Sequence, residues 1–368
     1  MSILVLNAGS SSVKASLFAH DLSPLAQSAV TEIGGDARLD GASITAPDHA
    51  TAILAILTAL TQKGYGPDTL TAAAHRVVHG GATLTAPTHI TPKVRAAIAA
   101  LIPLAPLHNP AHLAGIDAMT QAAPDLPQIA CFDTAFHATN PTVATTYAIP
   151  QADRDAGLRR YGFHGISYAS LVDGFPAPLP DRLLALHLGN GASLCAIRHG
   201  LSVATTMGYS PLDGLTMGTR SGGIDPNAVL QLARTHSIDG AATLLNSRSG
   251  LLALGGASDM RRLSQTPGKS ARFAIGHFAY WAVRHAGSMI AAMGGLDGIA
   301  FTGGIGENDA GLRAAIMEGL AFTGLTFDPA TNAAGGSVLH TATSPVTAHI
   351  RPAAEERAIA AAALGLLS

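Results

Sequence analysis

The sequence predicts an α/β fold made of two related domains that face one cleft. Apolar segments with strand-like and helix-like periodicity alternate along the first third of the chain, which is typical of α/β proteins. A strand, a turn of small polar residues and a second strand open the chain at 4–18, and the same pattern recurs at 183–200. This repeat favours duplicated domains, with a chance occurrence of two hairpins as the alternative.

Length and composition limit the function classes. The 368 residues are enough for two domains, and the 40 glycines and 21 prolines are spread along the chain, which indicates many tight turns. A formal charge of −2 with only 12% charged residues disfavours nucleic acid as a partner. No apolar run reaches the roughly 20 residues of a membrane span, and no basic segment of a signal peptide opens the chain. Cys131 and Cys195 are predicted to be buried and unpaired in a cytoplasmic protein.

The opening stretch LVLNAGSSSVKASLF is predicted to be a hairpin and not a strand that leads into a helix. The chain has no G-x-G-x-x-G spacing, and the Gly-Lys-Ser at 268–270 lacks the first glycine of a P-loop. A phosphate site in this chain must therefore use hairpins. Asn7, the backbone amides near 9–12 and Lys14 are candidate donors, and an ordinary surface turn is the alternative.

The segments HRVVHGG and IACFDTAFH each carry a candidate charged group. The paired valines and closing glycines of HRVVHGG favour a strand, and a zinc site at His75 and His79 is the less favoured interpretation because no H-E-x-x-H glutamate accompanies them. Arg76 would project opposite to His75 and offer its guanidinium to a carboxylate or phosphate. Asp133 ends an apolar strand, where α/β sheets bind ligands, and an Asx turn is the alternative.

Three later segments have compositions that packing alone does not explain. In RRYGFHGISY, His164 lies between an aromatic residue and a glycine, which suits a donor to a transferring phosphoryl oxygen. The stretch 205–226 carries Arg220 and is long for a connection without a function. IAFTGGIGEN leads from an apolar strand into a helix start whose amides form a candidate anion site.

Taken together, these segments resemble the motifs of the acetate kinase family in their order and in nearly all of their residues: LNAGSSSVK, HRVVHGG, APLHNPA, FDTAFH, RRYGFHG, HLGNGAS, SPLDGLTMGTRSG, DMR and GGIGEN. The match runs from residue 3 to about 310, with a weaker echo near Glu355. The resemblance implies a duplicated actin-like, ribonuclease-H-like fold. Residues 1–135, completed by a C-terminal helix at 353–368, would form the first domain, and 136–352 would form the second, with the nucleotide-binding segments. The family also forms dimers, so the resemblance implies a homodimer.

The resemblance carries the site residues of the family onto the matching positions of this chain. It implies catalytic roles for Arg76, Asp133, His164 and Arg220, with His108 nearby and an acetyl pocket of Val78, Leu107, Phe163 and Pro211. Asn7 and Glu355 match the positions that hold Mg²⁺, with Mn²⁺ as an alternative ion. The segments that contact the nucleotide match Lys14, His187, Leu188, Gly189, Asn190, Gly191, Asp259, Met260, Arg261, Gly303, Gly304, Ile305, Gly306 and Glu307.

The activity implied by the resemblance is reversible transfer of the ATP γ-phosphoryl group to acetate, which gives acetyl phosphate and ADP by direct in-line transfer. Propionate or butyrate kinase of the same family is the nearest alternative, and a pocket more open than Val78 would favour it. An actin-like ATPase switch is a further alternative, although a switch needs neither two arginines nor a small apolar pocket. The chain departs from the family pattern at Ile166, Tyr168, Gly223 and the residues around Glu355.

Overall fold

The computed structural model describes residues 2–9, 11–106 and 108–367. They divide into two compact units. The first unit contains the described residues up to Phe136, the segment Gly165–Ser170 and the C-terminal residues from Ala354 onwards. The second contains His137–His164 and Leu171–Ala353. The sequence predicted one uninterrupted second domain from 136 to 352, whereas 165–170 belong here to the first unit.

The strands in chain order are β1 (Ser2–Ala8), β2 (Val13–Ala19), β3 (Pro24–Thr31), β4 (Arg38–Leu39), β5 (Ala42–Ser43), β6 (Leu70–Val77), β7 (Thr88–His89), β8 (Gln128–Phe132), β9 (Arg182–Leu188), β10 (Ala192–Arg198), β11 (Leu201–Thr205), β12 (Gly298–Thr302) and β13 (Thr347–Ile350). The α-helices are α1 (His49–Gln62), α2 (Pro92–Ala100), α3 (Asn109–Ala122), α4 (Thr142–Thr145), α5 (Gln151–Asp155), α6 (Gly165–Asp173), α7 (Pro226–Ser247), α8 (Gly250–Gly255), α9 (Met260–Gln265), α10 (Lys269–Met293), α11 (Gly303–Asn308), α12 (Ala310–Gly319), α13 (Pro329–Ala333) and α14 (Glu355–Leu367). Short 3₁₀ turns lie at Pro67–Thr69, Ile102–Leu104, Ala135–Thr139 and Ala321–Thr323.

Both units are built on the same strand topology. In the first unit, β3, β2 and β1 are antiparallel neighbours, and the parallel strands β6 and β8 follow. In the second unit, β11, β10 and β9 are antiparallel neighbours, and the parallel strands β12 and β13 follow. Strands β4, β5 and β7 extend only the first sheet, to eight strands. The predicted α/β class and the predicted repeat of the opening hairpin are therefore confirmed.

The side chains of β1 alternate between two helical layers, as a strand with both faces covered requires. Leu4 and Leu6 are buried in a core that also contains residues of α1 and α3. Ile3 and Val5 are buried in a second core, together with residues of α14. Because the side-chain period of a strand is two residues, Asn7 continues the row that faces α14.

The segment 165–170 joins the first unit because the start of α6 is fixed there. The backbone N–H of Gly165 donates to the carbonyl of Asp133 at 2.7 Å. Ile166 is buried in the core against α14, and Tyr168 is fully buried with its ring 6.3 Å from that of Phe136. The residues that depart from the family pattern at 166 and 168 therefore fill the core of the first unit.

Helix α10 is the longest helix of the second unit. Ala274, Phe278 and Ala282 recur along its buried face, whereas Phe273 and Tyr280 are exposed. The Gly-Lys-Ser at 268–270 begins this helix and follows α9 rather than a strand, which agrees with the exclusion of a P-loop. Within the described ranges, no helix has the length and apolar character required to cross a membrane. Cys131 and Cys195 are both buried and unpaired, as predicted.

Candidate active site

The carboxyl-terminal ends of three strands place polar side chains on one face of the first sheet. Alternate residues of β6 and β8 are buried in the core against α14. Arg76, near the end of β6, and Asp133, directly after β8, continue these rows and face α14 as well. Asn7 shares this face, Lys14 is its partner across the hairpin, and Glu355 is the first residue of α14. Strand alternation therefore gathers charged groups that are far apart in sequence.

Arg76 and Asp133 form a buried, bidentate ion pair. The guanidinium donates from Nε to Oδ1 at 3.1 Å and from Nη2 to Oδ2 at 2.7 Å. Its Nη1 lies 3.8 Å from Oε2 of Glu355. Asp133 is only 2% exposed, so its charge depends on this guanidinium rather than on water. Two carboxylates share one arginine, which leaves the group one negative charge in excess.

The pKa values of this group reflect burial and shared charge. Burial favours the neutral form of Arg76, but the carboxylates of Asp133 and Glu355 outweigh burial and raise its pKa above the ordinary value. Burial also raises the pKa of Glu355, which Arg76 opposes and Asp133 reinforces. Arg76 therefore remains a cation, and the charged form of Glu355 would gain from a further cation beside it.

These residues fit a hydrated divalent cation. Mg²⁺ in phosphoryl-transfer sites is usually held by one or two carboxylates, with waters and phosphate oxygens completing its octahedron. Glu355 supplies a largely buried carboxylate in a group with excess negative charge, and Asn7 supplies an amide oxygen on the same sheet face. Throughout the described part of the chain, no three His, Cys, Asp or Glu residues cluster so that they could hold a metal. A metal held here would therefore depend on water and on substrate oxygens for most of its ligands.

Val78 and His108 are further candidate residues of the first unit. Val78 directly follows β6 and is 8% exposed. His108 precedes α3 and is partly buried. Leu107 lies outside the described residues. The amide of Gly9, one of the donors expected from the hairpin turn, is already engaged with the carbonyl of Ser12 at 2.7 Å.

His75 is a histidine of the core. Its Nε2 lies 2.8 Å from Oε1 of Gln128, and burial lowers its pKa to about 4, so the ring is neutral. His79 lies beyond the end of β6 and is also buried. The described residues around them include no metal-binding group, and the zinc interpretation of this segment gains no support.

In the second unit, His164 and Arg220 approach the turn between β9 and β10. His164 adopts the left-handed conformation with φ 58°, and its Nδ1 lies 2.9 Å from Oγ of Ser193. Its ring stacks on that of His187 with 4.2 Å between the centroids. A Cβ at Gly191 would lie 3.3 Å from Nε2 of His164 and 3.6 Å from Nη1 of Arg220. The glycine therefore allows both side chains to lie next to the backbone.

Arg220 is a desolvated cation. Its Nη1 donates to the carbonyl of Pro211 at 3.3 Å and lies 3.8 Å from Sδ of Met217. Among the described residues no carboxylate forms a salt bridge with it. Burial lowers the pKa of Arg220 below its ordinary value. A guanidinium in this setting is suited to an anionic ligand. Phe163, a further candidate for the acetyl pocket, is 2% exposed in the same unit.

A cavity of about 940 Å³ lies in the second unit beside this turn. Of the predicted nucleotide residues, those that line it are Gly189, Asn190, Asp259, Met260, Arg261, Gly304 and Ile305. His187, Leu188, Gly191, Gly303, Gly306 and Glu307 do not line it, and Lys14 is an exposed residue of the first unit. Sequence reasoning missed Ser258, Ser264, Gln265, Asn308, Asp309 and Ala310. Helical spacing from Met260 and Arg261 was the available signal for Ser264 and Gln265.

One amide at the start of α11, where the sequence suggested an anion site, is already engaged within the protein. Oε1 of Glu307 accepts from the backbone N–H of Gly303 and from that of Ala353, both at 3.0 Å. Gly303 has φ +79°, and a Cβ there would lie 2.7 Å from the carbonyl oxygen of Leu188. The Glu307 carboxylate therefore stabilises this turn by hydrogen bonds within the protein, and the backbone amide of Gly303 is not available to a ligand.

If the cavity receives the nucleotide, as the resemblance implies, substitution of Gly218 by alanine is expected to raise the KM for the nucleotide about tenfold. The new Cβ would overlap Oδ1 of Asn190 and lie 3.0 Å from the carbonyl of Ser258, and both residues line the cavity. Displacing such neighbours typically costs about 1–3 kcal/mol. Steady-state kinetics with varied ATP measure the effect. Gly365→Ala is the control, because no atom lies within 4 Å of that Cβ. An unchanged KM for ATP would contradict the assignment of the cavity.

Comparison with known proteins extends over nearly the whole chain. Residues 2–361 match the model of the acetokinase family. The acetate kinase of Methylocella silvestris is 41% identical over 395 aligned residues, which cover 99% of this chain and 98% of the relative. The acetate kinase of Leifsonia xyli subsp. xyli is 44% identical and covers 98% of each chain.

Solved structures agree with the sequence relatives. The acetate kinase of Porphyromonas gingivalis superimposes with a TM-score of 0.90 at 34% identity and 100% coverage of both chains. A propionate kinase from Francisella tularensis subsp. tularensis superimposes with a TM-score of 0.92 at 34% identity and 98% coverage of both chains. These full-length likenesses confirm the predicted duplicated, actin-like α/β fold.

Proposed function

Because the chain belongs to the acetokinase family, we propose that it catalyses reversible transfer of the γ-phosphoryl group of ATP to acetate. The products are acetyl phosphate and ADP, formed by direct in-line transfer. Full-length similarity to acetate kinases supports this activity. The structural observation that carries it is the buried guanidinium of Arg220, which has no salt bridge to any described carboxylate and lies beside Gly191, at the turn that lines the large cavity.

Arg76, Asp133 and Val78 of the first unit act on the acyl substrate in this proposal. Acetate has a carboxylic pKa of about 4 and is ionised at neutral pH, so the nucleophile needs no general base. Arg76 is the hydrogen-bond donor to the acetate carboxylate. Asp133 holds that guanidinium through two hydrogen bonds, and its role is to orient the arginine rather than to accept a proton. The buried side chain of Val78 limits the acyl group to a short one.

The second unit handles the nucleotide and the transferred phosphoryl group. Charge on the three equatorial phosphoryl oxygens must be neutralised in the transition state, and positioned donors supply most of the catalysis. Arg220 supplies a fixed cation. His164 supplies a ring whose orientation is set by the hydrogen bond with Ser193 and by stacking on His187. The cavity residues near Asp259 and Ile305 receive the nucleoside.

Asn7 and Glu355 would hold the divalent ion, directly or through water. Mg²⁺, with Mn²⁺ as an alternative, neutralises phosphate charge when it is bound. Glu355 is well suited because its carboxylate is buried in a group with excess negative charge. Arg76 limits that excess and opposes the rise that burial causes in the pKa of this carboxylate.

A propionate kinase activity is the second candidate. The propionate kinase of Francisella tularensis superimposes on the chain as well as the acetate kinase of Porphyromonas gingivalis does, and this specific observation favours it. Butyrate would need still more room beside Val78. An actin-like ATPase switch is disfavoured because such a switch has no use for two arginines directed at a small carboxylate.

Hydroxamate trapping with Mg-ATP and acetate, propionate, butyrate or no acid tests the proposal. We expect trapped acyl phosphate to decrease steeply from acetate to butyrate, since each additional methylene costs roughly tenfold or more in a pocket of fixed size. A maximum with propionate would support the second candidate. ATP hydrolysis without acyl phosphate from any acid would exclude a carboxylate kinase and favour the switch.

We further propose that the protein works in the cytoplasm as a homodimer. The two buried, unpaired cysteines suit a reducing compartment. Phe273 and Tyr280 are 60% and 63% exposed on one helix, which is the kind of surface that a second copy would cover. Sedimentation velocity measures the assembly.

A further inference from the structure

Helix α10 carries a histidine that contacts the Arg220 loop, which we define as residues 206–225. Nδ1 of His277 lies 3.2 Å from Oγ1 of Thr216 in that loop. Trp281, the single tryptophan of the chain, donates from Nε1 to Nε2 of His277 at 3.1 Å. Thr216 is 4% exposed, so its hydroxyl exchanges little with water. These contacts link the helix face to the loop through one ring.

The direction of both hydrogen bonds follows from the donors available. An indole N–H only donates, so Nε2 of His277 must accept from Trp281. A neutral imidazole then carries its proton on Nδ1 and donates it to Oγ1 of Thr216. Burial lowers the pKa of His277 below its ordinary value, which favours this neutral ring. Trp281 therefore selects the tautomer in which the histidine donates to the loop.

The indole itself is held from two sides. The guanidinium of Arg284 lies over the ring of Trp281, 4.5 Å from its centroid. The ring of Tyr280 meets it edge-on at 5.9 Å. An indole fixed in this way keeps its N–H directed at Nε2 of His277, so the ring of His277 keeps its own proton on Nδ1.

Thr216 immediately precedes the turn that carries Arg220. The N–H of Met217 donates to the carbonyl of Arg220 at 3.1 Å, and Sδ of Met217 lies 3.8 Å from Nη1 of the arginine. On another side, a Cβ at Gly250 would overlap the carbonyl of Met217 and lie 2.6 Å from that of Arg220. The turn therefore has little room, and a bond that fixes Thr216 also restricts Arg220.

We propose that His277 is a positioning residue for Arg220, because it is held in one tautomer by Trp281 and donates to Thr216, which fixes the turn that presents the arginine to its anionic substrate. The inference rests on the proposed function, which assigns Arg220 to phosphoryl transfer. His277 does not touch the substrate in this account, and it acts only through the loop.

Paired substitutions separate the two hydrogen bonds. Thr216→Val and His277→Gln remove the bond to the loop, and we expect each to lower kcat with acetate about fivefold, the effect of one hydrogen bond that holds a group acting in the transition state. The KM for ATP should stay within twofold, since neither Thr216 nor His277 lines the cavity. Thr216→Ser and His277→Asn retain a hydroxyl or an amide donor at the same place and should restore kcat. Arg272→Ala, an exposed position on α10, is the matched control.

A nuclear magnetic resonance readout tests the tautomer independently of activity. The single indole gives one ¹⁵N-bound proton resonance. We expect it to stay near its wild-type position in His277→Gln, where the amide oxygen still accepts from Trp281. It should move upfield in His277→Asn, where the shorter side chain no longer reaches the indole. Kinetics thus follow the bond to Thr216, and the resonance follows the bond to Trp281.

Each contrary outcome has a distinct meaning. A kcat within twofold of wild type in both Thr216→Val and His277→Gln would overturn the positioning role. A fall in kcat that equals the fall in folded fraction, measured by near-ultraviolet circular dichroism of the same preparation, would indicate loss of folded enzyme and would also overturn it. An indole resonance that does not move in His277→Asn would overturn the tautomer assignment. If the wild-type protein forms no acyl phosphate from any acid, the proposed function fails, and the positioning role fails with it.

Discussion

Replacement of Arg76 by leucine is expected to lower kcat/KM for acetate about 10³-fold or more, as the loss of a transition-state arginine does in phosphoryl transfer. It should also destabilise the protein, because Asp133 is 2% exposed and would lose its counter-ion. Removal of one partner from a buried pair typically costs about 3–5 kcal/mol. Initial rates and urea unfolding of the same preparation measure the two effects.

The chain offers a matched control for Arg76. Arg95 forms a bidentate pair with Asp117, with both bonds at 2.6 Å, but these side chains are 44% and 39% exposed. An exposed pair contributes at most about 1 kcal/mol, so Arg95→Leu should change stability little and activity not at all. The double variant Arg76→Leu/Asp133→Asn should recover stability without recovering activity. An Arg76→Leu enzyme within tenfold of wild type would remove this residue from the catalytic set.

Asp133→Asn is expected to lower kcat by about 10²–10³-fold while the pH–rate profile keeps its shape. Asparagine retains the size of the side chain but loses the charge that holds Nε and Nη2 of Arg76. Misorientation of the Arg76 guanidinium lowers the rate constant. It does not add or remove a proton-transfer step, so the shape of the pH–rate profile does not change. Because acetate is already ionised at neutral pH, no step of the proposed mechanism requires this carboxylate as a base.

Kinetics from pH 5 to 9 distinguish orientation from proton transfer. A general base contributes its own pKa to the profile, and replacement by asparagine removes the corresponding limb. Disappearance of a limb in Asp133→Asn would show that the carboxylate transfers a proton after all. Asp117→Asn, in the exposed pair with Arg95, is the control for charge removal alone.

Local sequence pattern predicted the strand ends of the fold and the polar groups placed on them. The hairpins at both domain starts, the strand that carries Arg76 and the position of Asp133 after β8 all follow from apolar runs that end in turn residues. Resemblance was needed for Glu355, because its approach to Arg76 joins segments nearly 280 positions apart in the chain.

Packing decided the features that pattern did not reveal. The start of α6 lies in the first unit because Ile166 is buried in the core against α14 and Tyr168 is buried beside Phe136. The contact between His277 and Thr216 joins a helix to a loop 61 positions away. The sequence of neither segment predicts this contact, since a histidine on a helix and a threonine in a loop are both common.

The shared strand topology places different side chains at equivalent points of the two halves. In the first hairpin Asn7 pairs with Lys14, one step before the closing pair, and in the second hairpin His187 pairs with Ser193 at the same step. The same backbone position therefore carries an amide and an amine in one half, and an imidazole and a hydroxyl in the other. Two halves with one strand topology thus differ in chemistry through their side chains alone, at positions where the backbone itself does not differ.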